Sequence, residues 1–314
     1  MNRRRFIKNT AKIAACGLIV TAIPGCIESL DSLLGDDHIS LRNGKTWTSV
    51  QNLGILGSGP TVIKESGTYK MWYTDNAASP TNMNYVTSSN GLNWSTPVIV
   101  FTRTTNSTVW DDTYLFNPSV IKLNSTYKMW YQASKGLLPA DKSIIYCESS
   151  DGINWSNFQT VITSSVSIPA ITYIGAAVPV VIYANGQYKM WLIIENYLTS
   201  NIIYCDSFDG INWSNFQRSL PIGLHGTYDN TSVISSGVIL DGNLYKIWYS
   251  GFDGTTWRIL YSESHNGINW FNPQLSINLS PSSTSKTTVI NDKGVGLMWF
   301  FNAATNTIWY AESR

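Results

Sequence analysis

Tyr127-Lys128-Met129-Trp130, followed by Ser150-Asp151-Gly152-Ile153-Asn154-Trp155, is one copy of a two-phrase unit that recurs along the chain. The first phrase ends at Trp72, Trp130, Trp191, Trp248 and Trp299, at spacings of 58, 61, 57 and 51 residues, and the second ends at Trp94, Trp155, Trp213 and Trp270. A fixed internal period of this length marks a repeat architecture whose unit is longer than a helical solenoid repeat. Within one unit, Pro118 to Leu123 is a β-branched run and Asn124-Ser125-Thr126 a turn. Tyr127 to Tyr131 is an aromatic strand, Ile144 to Glu148 a third, and Phe158 to Ile162 a fourth beyond the Asp-Gly turn. Four short antiparallel strands per unit, with the same turn phrase in the same place each time, predict an all-β, five-bladed β-propeller of four-stranded blades.

The ends of the repeat array predict how the ring closes. The fifth unit stops after Trp309 to Arg314, where the others continue into Gly-Ile-Asn-Trp, whereas Ser40 to Trp47 reads like Ser88 to Trp94. The segment from Thr48 to Leu53 is therefore expected to supply the outer strand of the last blade, pairing near Ile308 to Glu312 and leaving no open edge.

Three segments follow: an export signal over 1–25, a tether over 26–39 and the propeller over 40–314. Asn2 to Lys8 looks like a twin-arginine signal with Arg3 and Arg4 as its pair, and the apolar stretch Ile13 to Ile23 is too short to span a bilayer. Ile23-Pro24-Gly25-Cys26 resembles a lipoprotein cleavage site, with Cys26 the lipidated residue. The expectation is an exported, extracytoplasmic protein anchored to the cell membrane. Removing the signal leaves 16 basic and 20 acidic residues, a net charge of −4, which argues against nucleic acid as a partner. A monomer without cofactor or metal is expected, since His225 and His265 sit too far apart in the unit to pair. Cys147 and Cys205 occupy the same place in consecutive units, a blade apart, beyond disulfide reach. They are expected to be buried free thiols. The repeated tryptophans are expected in the core, because a residue found in every blade serves blade packing.

The Ser-x-Asp-Gly-x-Asn-Trp turns resemble the Asp-box of sialidases, a structural hairpin. The whole unit over 40–314 resembles the blades of the five-bladed glycosidases of the arabinanase, xylosidase, invertase and levansucrase type. That resemblance implies an Asp before the first-blade Pro as base or nucleophile, an Asp before the second-blade Pro as tuner, and a third-blade Glu as acid. Glycoside hydrolysis needs at least two such carboxyls flanking the scissile bond. Counting twelve back from each Trp of the first phrase gives Pro60, Pro118, Pro179, Ser236 and Thr287, so the implied positions here hold Gly59, Asn117 and Ala177. None of these transfers a proton.

Asp111, Asp112 and Asp229, in loops leading into blades two and four, are the candidate catalytic carboxylates if chemistry has moved. Asp75, Glu195 and Asp253, each just past a second strand, are further rim carboxylates. Trp110, Tyr114, Phe116, Asn117, Tyr173, Tyr228 and Asn230 are the candidate ligand-binding residues, aromatic faces for sugar rings and amides for hydroxyls. Three functions stay open: a glycan-binding surface protein that has lost its acids, a glycoside hydrolase using displaced carboxylates, and an envelope platform for protein interaction.

Overall fold

The computed structural model describes residues 40–41, 44–76, 81–103, 113–136, 138–163, 175–195, 200–278 and 284–313. The signal, tether and Cys26 assignments, together with Trp110, Asp111, Asp112 and Tyr173, lie outside them. The propeller is the unit Ser40–Arg314. It opens with β1 (Thr48–Leu56) and then runs through the strands of blade 1, which are β2 (Ser58–Glu65), β3 (Thr68–Asp75), β4 (Asn82–Ser88) and β5 (Val98–Thr102). Blade 2 comprises β6 (Tyr114–Leu123), β7 (Thr126–Ser134), β8 (Lys142–Ser149) and β9 (Ser156–Ile162). Blade 3 has β10 (Gly175–Ala184), β11 (Gln187–Glu195), β12 (Ser200–Ser207) and β13 (Ser214–Leu220). Blade 4 has β14 (Ser232–Asp241), β15 (Leu244–Phe252), β16 (Trp257–Ser264) and β17 (Phe271–Ile277). Blade 5 has β18 (Thr284–Asp292), β19 (Val295–Asn302) and β20 (Thr307–Ser313), and β1 is its fourth strand. The innermost strands β2, β6, β10, β14 and β18 adjoin one another in a closed ring around the channel.

The aromatic phrase works because a strand sends alternate side chains to opposite faces. In β3, Tyr69, Met71 and Tyr73 enter the cluster shared with blade 5, while Trp72 enters the cluster shared with blade 2. Blade 2 repeats this one seam further on, with Tyr127, Met129 and Tyr131 facing blade 1 and Trp130 facing blade 3. Both faces of every second strand are thus buried, and all five tryptophans have no exposed surface. Removing such a ring costs about 3–5 kcal/mol.

The hairpin phrase locks each tryptophan. Trp72 Nε1 donates to the Gly152 carbonyl at 2.8 Å, Trp130 to Gly210 at 2.8 Å, Trp191 to Gly267 at 2.7 Å and Trp299 to Gly91 at 2.9 Å. Gly152 adopts φ +81°, and a Cβ there would lie 2.8 Å from the Trp72 ring, so glycine is required by both conformation and contact. Asp151 Oδ1 accepts the N–H groups of Ile153 and Asn154, each at 2.8 Å, and Ser149 Oγ accepts Gly152 N at 2.8 Å. The Asn154 and Ile153 N–H groups, then the Asn154 amide, hold the Asp151 carboxyl well below the usual carboxylate range.

The ring closes as the sequence predicts. β1 pairs antiparallel with β20, Thr48 opposite Glu312, Asn52 opposite Trp309 and Leu56 opposite Thr307. Trp248 Nε1 donates to Gly44 O at 2.7 Å, so the N-terminal segment plays the hairpin's part for blade 4. The buried Asp241 carboxylate accepts Leu41 N at 3.1 Å and pairs with Lys246 at 2.5 Å. Gly296, where other blades carry the tyrosine of the phrase, leaves the space that Leu41 and Trp47 occupy. Cys147 and Cys205 are buried thiols in no disulfide, as expected.

Candidate functional site: the channel mouth

Each inner strand carries one extra residue against its partner just inside its start. The register slips between Ser58 and Thr61, Phe116 and Ser119, Ala177 and Val180, Ile234 and Gly237, and Ser285 and Thr287. Such bulges turn a side chain out of the ladder and aim it elsewhere. The residues so placed in blades 1, 2 and 3 are Gly59 (φ +60°), Asn117 (φ +54°) and Val178 (φ +50°), and Lys286 holds the same place in blade 5. A β-branched residue in the left-handed region is strained by about 1–3 kcal/mol, so Val178 is held there by its surroundings.

These bulges meet. A Cβ on Gly59 would stand 2.6 Å from Asn117 Oδ1 and 2.8 Å from Asn117 Cα. Asn117 Nδ2 donates to Gln132 Oε1 at 3.2 Å, and the same oxygen accepts Val178 N at 3.3 Å, tying blade 2 to blade 3. From the other side of the channel comes Lys286, 2% exposed, whose ammonium donates to the carbonyls of Asn117 (2.8 Å), Pro118 and Pro179 (3.2 Å). Burial pushes its pKa well below the ordinary lysine range, while three carbonyl acceptors favour the charged form, since a neutral amine has only two N–H groups. No carboxylate among the described residues touches it. The throat is lined by a glycine, an amide, a valine and an ammonium. Ala177, two residues ahead of Pro179, is buried and pairs with Ile193 in the ladder.

Half-buried Tyr114 and Phe116 stack at 5.6 Å with 20° between their planes, on the strand that carries Asn117. This ring pair is the part of the expected ligand-binding set that packs together. Asp229 is elsewhere: it is fully buried beneath the loop into blade 4, accepting both His225 N (3.1 Å) and Tyr249 Oη (2.9 Å). Gly251 makes room for it, since a Cβ there would meet Asp229 Cβ at 2.8 Å. The Asp229 charge in turn helps push the Tyr249 phenol far up, after burial itself. Tyr228, next to Asp229 in the chain, has the His225 ring at 4.8 Å and the Arg258 guanidinium at 4.6 Å from its own ring. Asn230 is exposed on the same loop. Asp253 pairs with Arg258 and accepts Thr255 N and Thr256 N, both at 2.8 Å. Asp75 lines a groove at the seam of blades 5 and 1 together with Asn84. His265 packs on Phe271. Lys286 was not among the residues singled out from the sequence, although it directly precedes Thr287, the fifth of the counted positions.

No family model matches the chain. Two uncharacterized proteins of Mycobacterium tuberculosis, MT1551 from strain CDC 1551 / Oshkosh and Rv1502 from strain ATCC 25618 / H37Rv, are each 32% identical over 106 residues. That stretch is 31% of this chain and 33% of each relative, so the match spans about a third of the curated relatives' length. Among solved structures, a β-1,2-mannobiose phosphorylase from Listeria innocua superposes with a TM-score of 0.63 at 10% identity, over 83% of this chain and 90% of that one. A structure from the GH130 mannoside phosphorylase family, described as containing hydrolases of β-1,2 mannosidic linkages in Candida mannan, gives 0.64 at 12% identity, over 89% and 92%. The fold is that of the glycosidase-like five-bladed propellers. Native arabinanase Arb43A of Bacillus subtilis, at a TM-score of 0.61 and 12% identity over 85% of this chain and 96% of that one, has the same architecture. Likeness at this identity speaks for the glycosidase-like scaffold, and activity is decided by the side chains at the mouth.

Proposed function

We propose that the protein is an exported, membrane-anchored glycosidase-like propeller that binds a glycan at the channel mouth without hydrolysing it. The observation that carries this reading is the throat itself: Gly59, Asn117, Val178 and Lys286 meet where an acid and a base would have to flank a scissile bond. Stacked Tyr114 and Phe116, on the same strand as Asn117, supply an apolar ring surface and an amide for hydroxyls, the two things recognition needs. The displaced-carboxylate alternative draws no support from Asp229, which is buried and engaged in holding its own loop.

A glycan-array screen, run beside hydrolysis assays on arabinans, fructans and mannosides, tests the reading. Binding without turnover is expected, and Phe116→Ala should weaken it by about two- to tenfold, the worth of one aromatic contact. Turnover abolished by Asp112→Asn or Asp229→Asn would replace it with the enzyme reading, and silence on every glycan would favour the interaction platform. For export, replacing Arg3 and Arg4 by Lys should keep the precursor inside the cell. Cys26→Ser should release the mature protein from the membrane, because the acyl chains are its proposed anchor.

A further inference from the structure

Below the Lys286 plug the channel opens into a lumen of about 300 Å³. Its walls are residues of the five inner strands, and Lys286 is the only cation and no carboxylate is present among the described residues that line it. The repeat provides its own control for how this lumen is satisfied. Thr61 Oγ1 accepts the channel-side N–H of Val120 in the next blade at 3.3 Å, and Ser119 Oγ accepts that of Val181 at 2.9 Å. Continuing the series, the residue facing Val238 is Val180 and the residue facing Val289 is Gly237, and neither has a hydroxyl. A Cβ on Gly237 would stand 3.3 Å from Val289 N and 3.1 Å from Thr287 Oγ1. Thr287 is 1% exposed, and its hydroxyl has no partner among the described residues.

One corner of the lumen, between blades 4 and 5, therefore gathers a hydroxyl with no partner among the described residues and a backbone N–H whose counterparts in two other blades are bridged, in a lumen lined by one ammonium and, among the described residues, by no carboxylate. The two donors call for an acceptor, and the ammonium favours one that is negative. We propose that this corner is a binding site for a small, weakly hydrated monovalent anion, held by Thr287 Oγ1 and Val289 N in the vacancy left by Gly237 and balanced by Lys286. With one ammonium as the only charge among the described residues that line it, the lumen favours a singly charged ion, because the cost of stripping water from an ion rises steeply with its charge. Phosphate and sulfate are accordingly excluded, and ions of the halide and nitrate class accepted. The site does not depend on what the mouth binds.

Bromide is the probe. Crystals of the full chain soaked in sodium bromide should show an anomalous peak within hydrogen-bond distance of Thr287 Oγ1. In solution, Tm should rise saturably with bromide and not with fluoride at equal ionic strength. Gly237→Ser places in the vacancy the hydroxyl that Ser119 provides elsewhere, and should weaken the bromide effect about tenfold by displacing the ion and capping its donor. Lys286→Met should abolish it. A lumen holding only water in the bromide-soaked crystal, or a Tm that follows ionic strength alone in wild type and Gly237→Ser alike, would overturn the proposal. Neither result depends on whether Lys286→Met folds.

Discussion

Gly152→Ala and Gly186→Ala, compared side by side, test whether the hairpin glycines are there for the backbone alone or for the tryptophan of the preceding blade. The two have nearly the same conformation, φ +81° and +78°, but a Cβ on Gly152 would lie 2.8 Å from Trp72 Cζ2, whereas a Cβ on Gly186 would meet nothing within 4 Å. Putting an L-residue in the left-handed region costs about 1–2 kcal/mol in either case. Gly152→Ala must in addition push against an indole that is fully buried and bonded to the Gly152 carbonyl at 2.8 Å, an overpacking cost of about 1–3 kcal/mol. The totals are then about 2–5 kcal/mol against about 1–2. In a domain of this size, 1 kcal/mol moves Tm by roughly 2 °C. Calorimetry should therefore find Gly152→Ala lower by about 4–10 °C and Gly186→Ala by about 2–4 °C, with Trp72 fluorescence altered in the first alone. Equal shifts would refute the reasoning, because they would leave the ring of Trp-to-Gly bonds without energetic weight.

Asp241→Asn should destabilise the ring by about 3–5 kcal/mol in urea unfolding, because it leaves buried Lys246 unpaired and loosens the bond to Leu41 that seats the closing segment. Glu65 should contribute to stability above pH 4.5 and lose that contribution in acid: Lys122, then Lys70 and Tyr127, hold its carboxyl at about 2, below its ordinary 4.5. A depressed carboxylate stabilises the fold above its unfolded value and loses that contribution as pH falls through its folded one. Tm should accordingly drop between pH 4.5 and 2, and Glu65→Gln should flatten that slope. Gly59→Asp should lower Tm without creating hydrolysis of any glycan, since its Cβ would run into Asn117 and the throat still lacks a second acid. Asp229→Asn should cost about 1–3 kcal/mol by weakening the bonds from His225 N and Tyr249 Oη, read by urea unfolding.

The ring was legible because its determinants are local and repeated. Alternation in Tyr-Lys-Met-Trp-Tyr states which side chain faces which neighbour. The truncated fifth unit, with its matching phrase at Ser40 to Trp47, states how the ends meet, and β1 on β20 bears that out. The mouth was legible only by subtraction: the counted positions identified Gly59 and Asn117 as non-acids, but what fills the space lies in contacts across the ring. Lys286 bonds to carbonyls 107 to 169 residues away. No side-chain pattern announces a carbonyl acceptor, so such a lysine reads as one more solvated cation. Asp229 misled in the opposite sense. An acid after an aromatic in a loop reads as a rim carboxylate, and its burial needs the room left by Gly251, a glycine on the second strand of the blade.

Contacts across the ring also decide how the throat would take an added carboxylate. Were the space beside Gly59 open, a single substitution could place an acid there without loss. Here the space beside Gly59 is filled by Asn117, Asn117 is held by Gln132, and its carbonyl is held by Lys286. Each contact closes the position the next would need to open. Val178 and Asn117 both stay in the left-handed region, and both are bonded to Gln132 Oε1, which helps hold them there. The throat is therefore a packed, hydrogen-bonded unit in its own right, and a variant that places one carboxylate there meets an occupied site rather than an empty one.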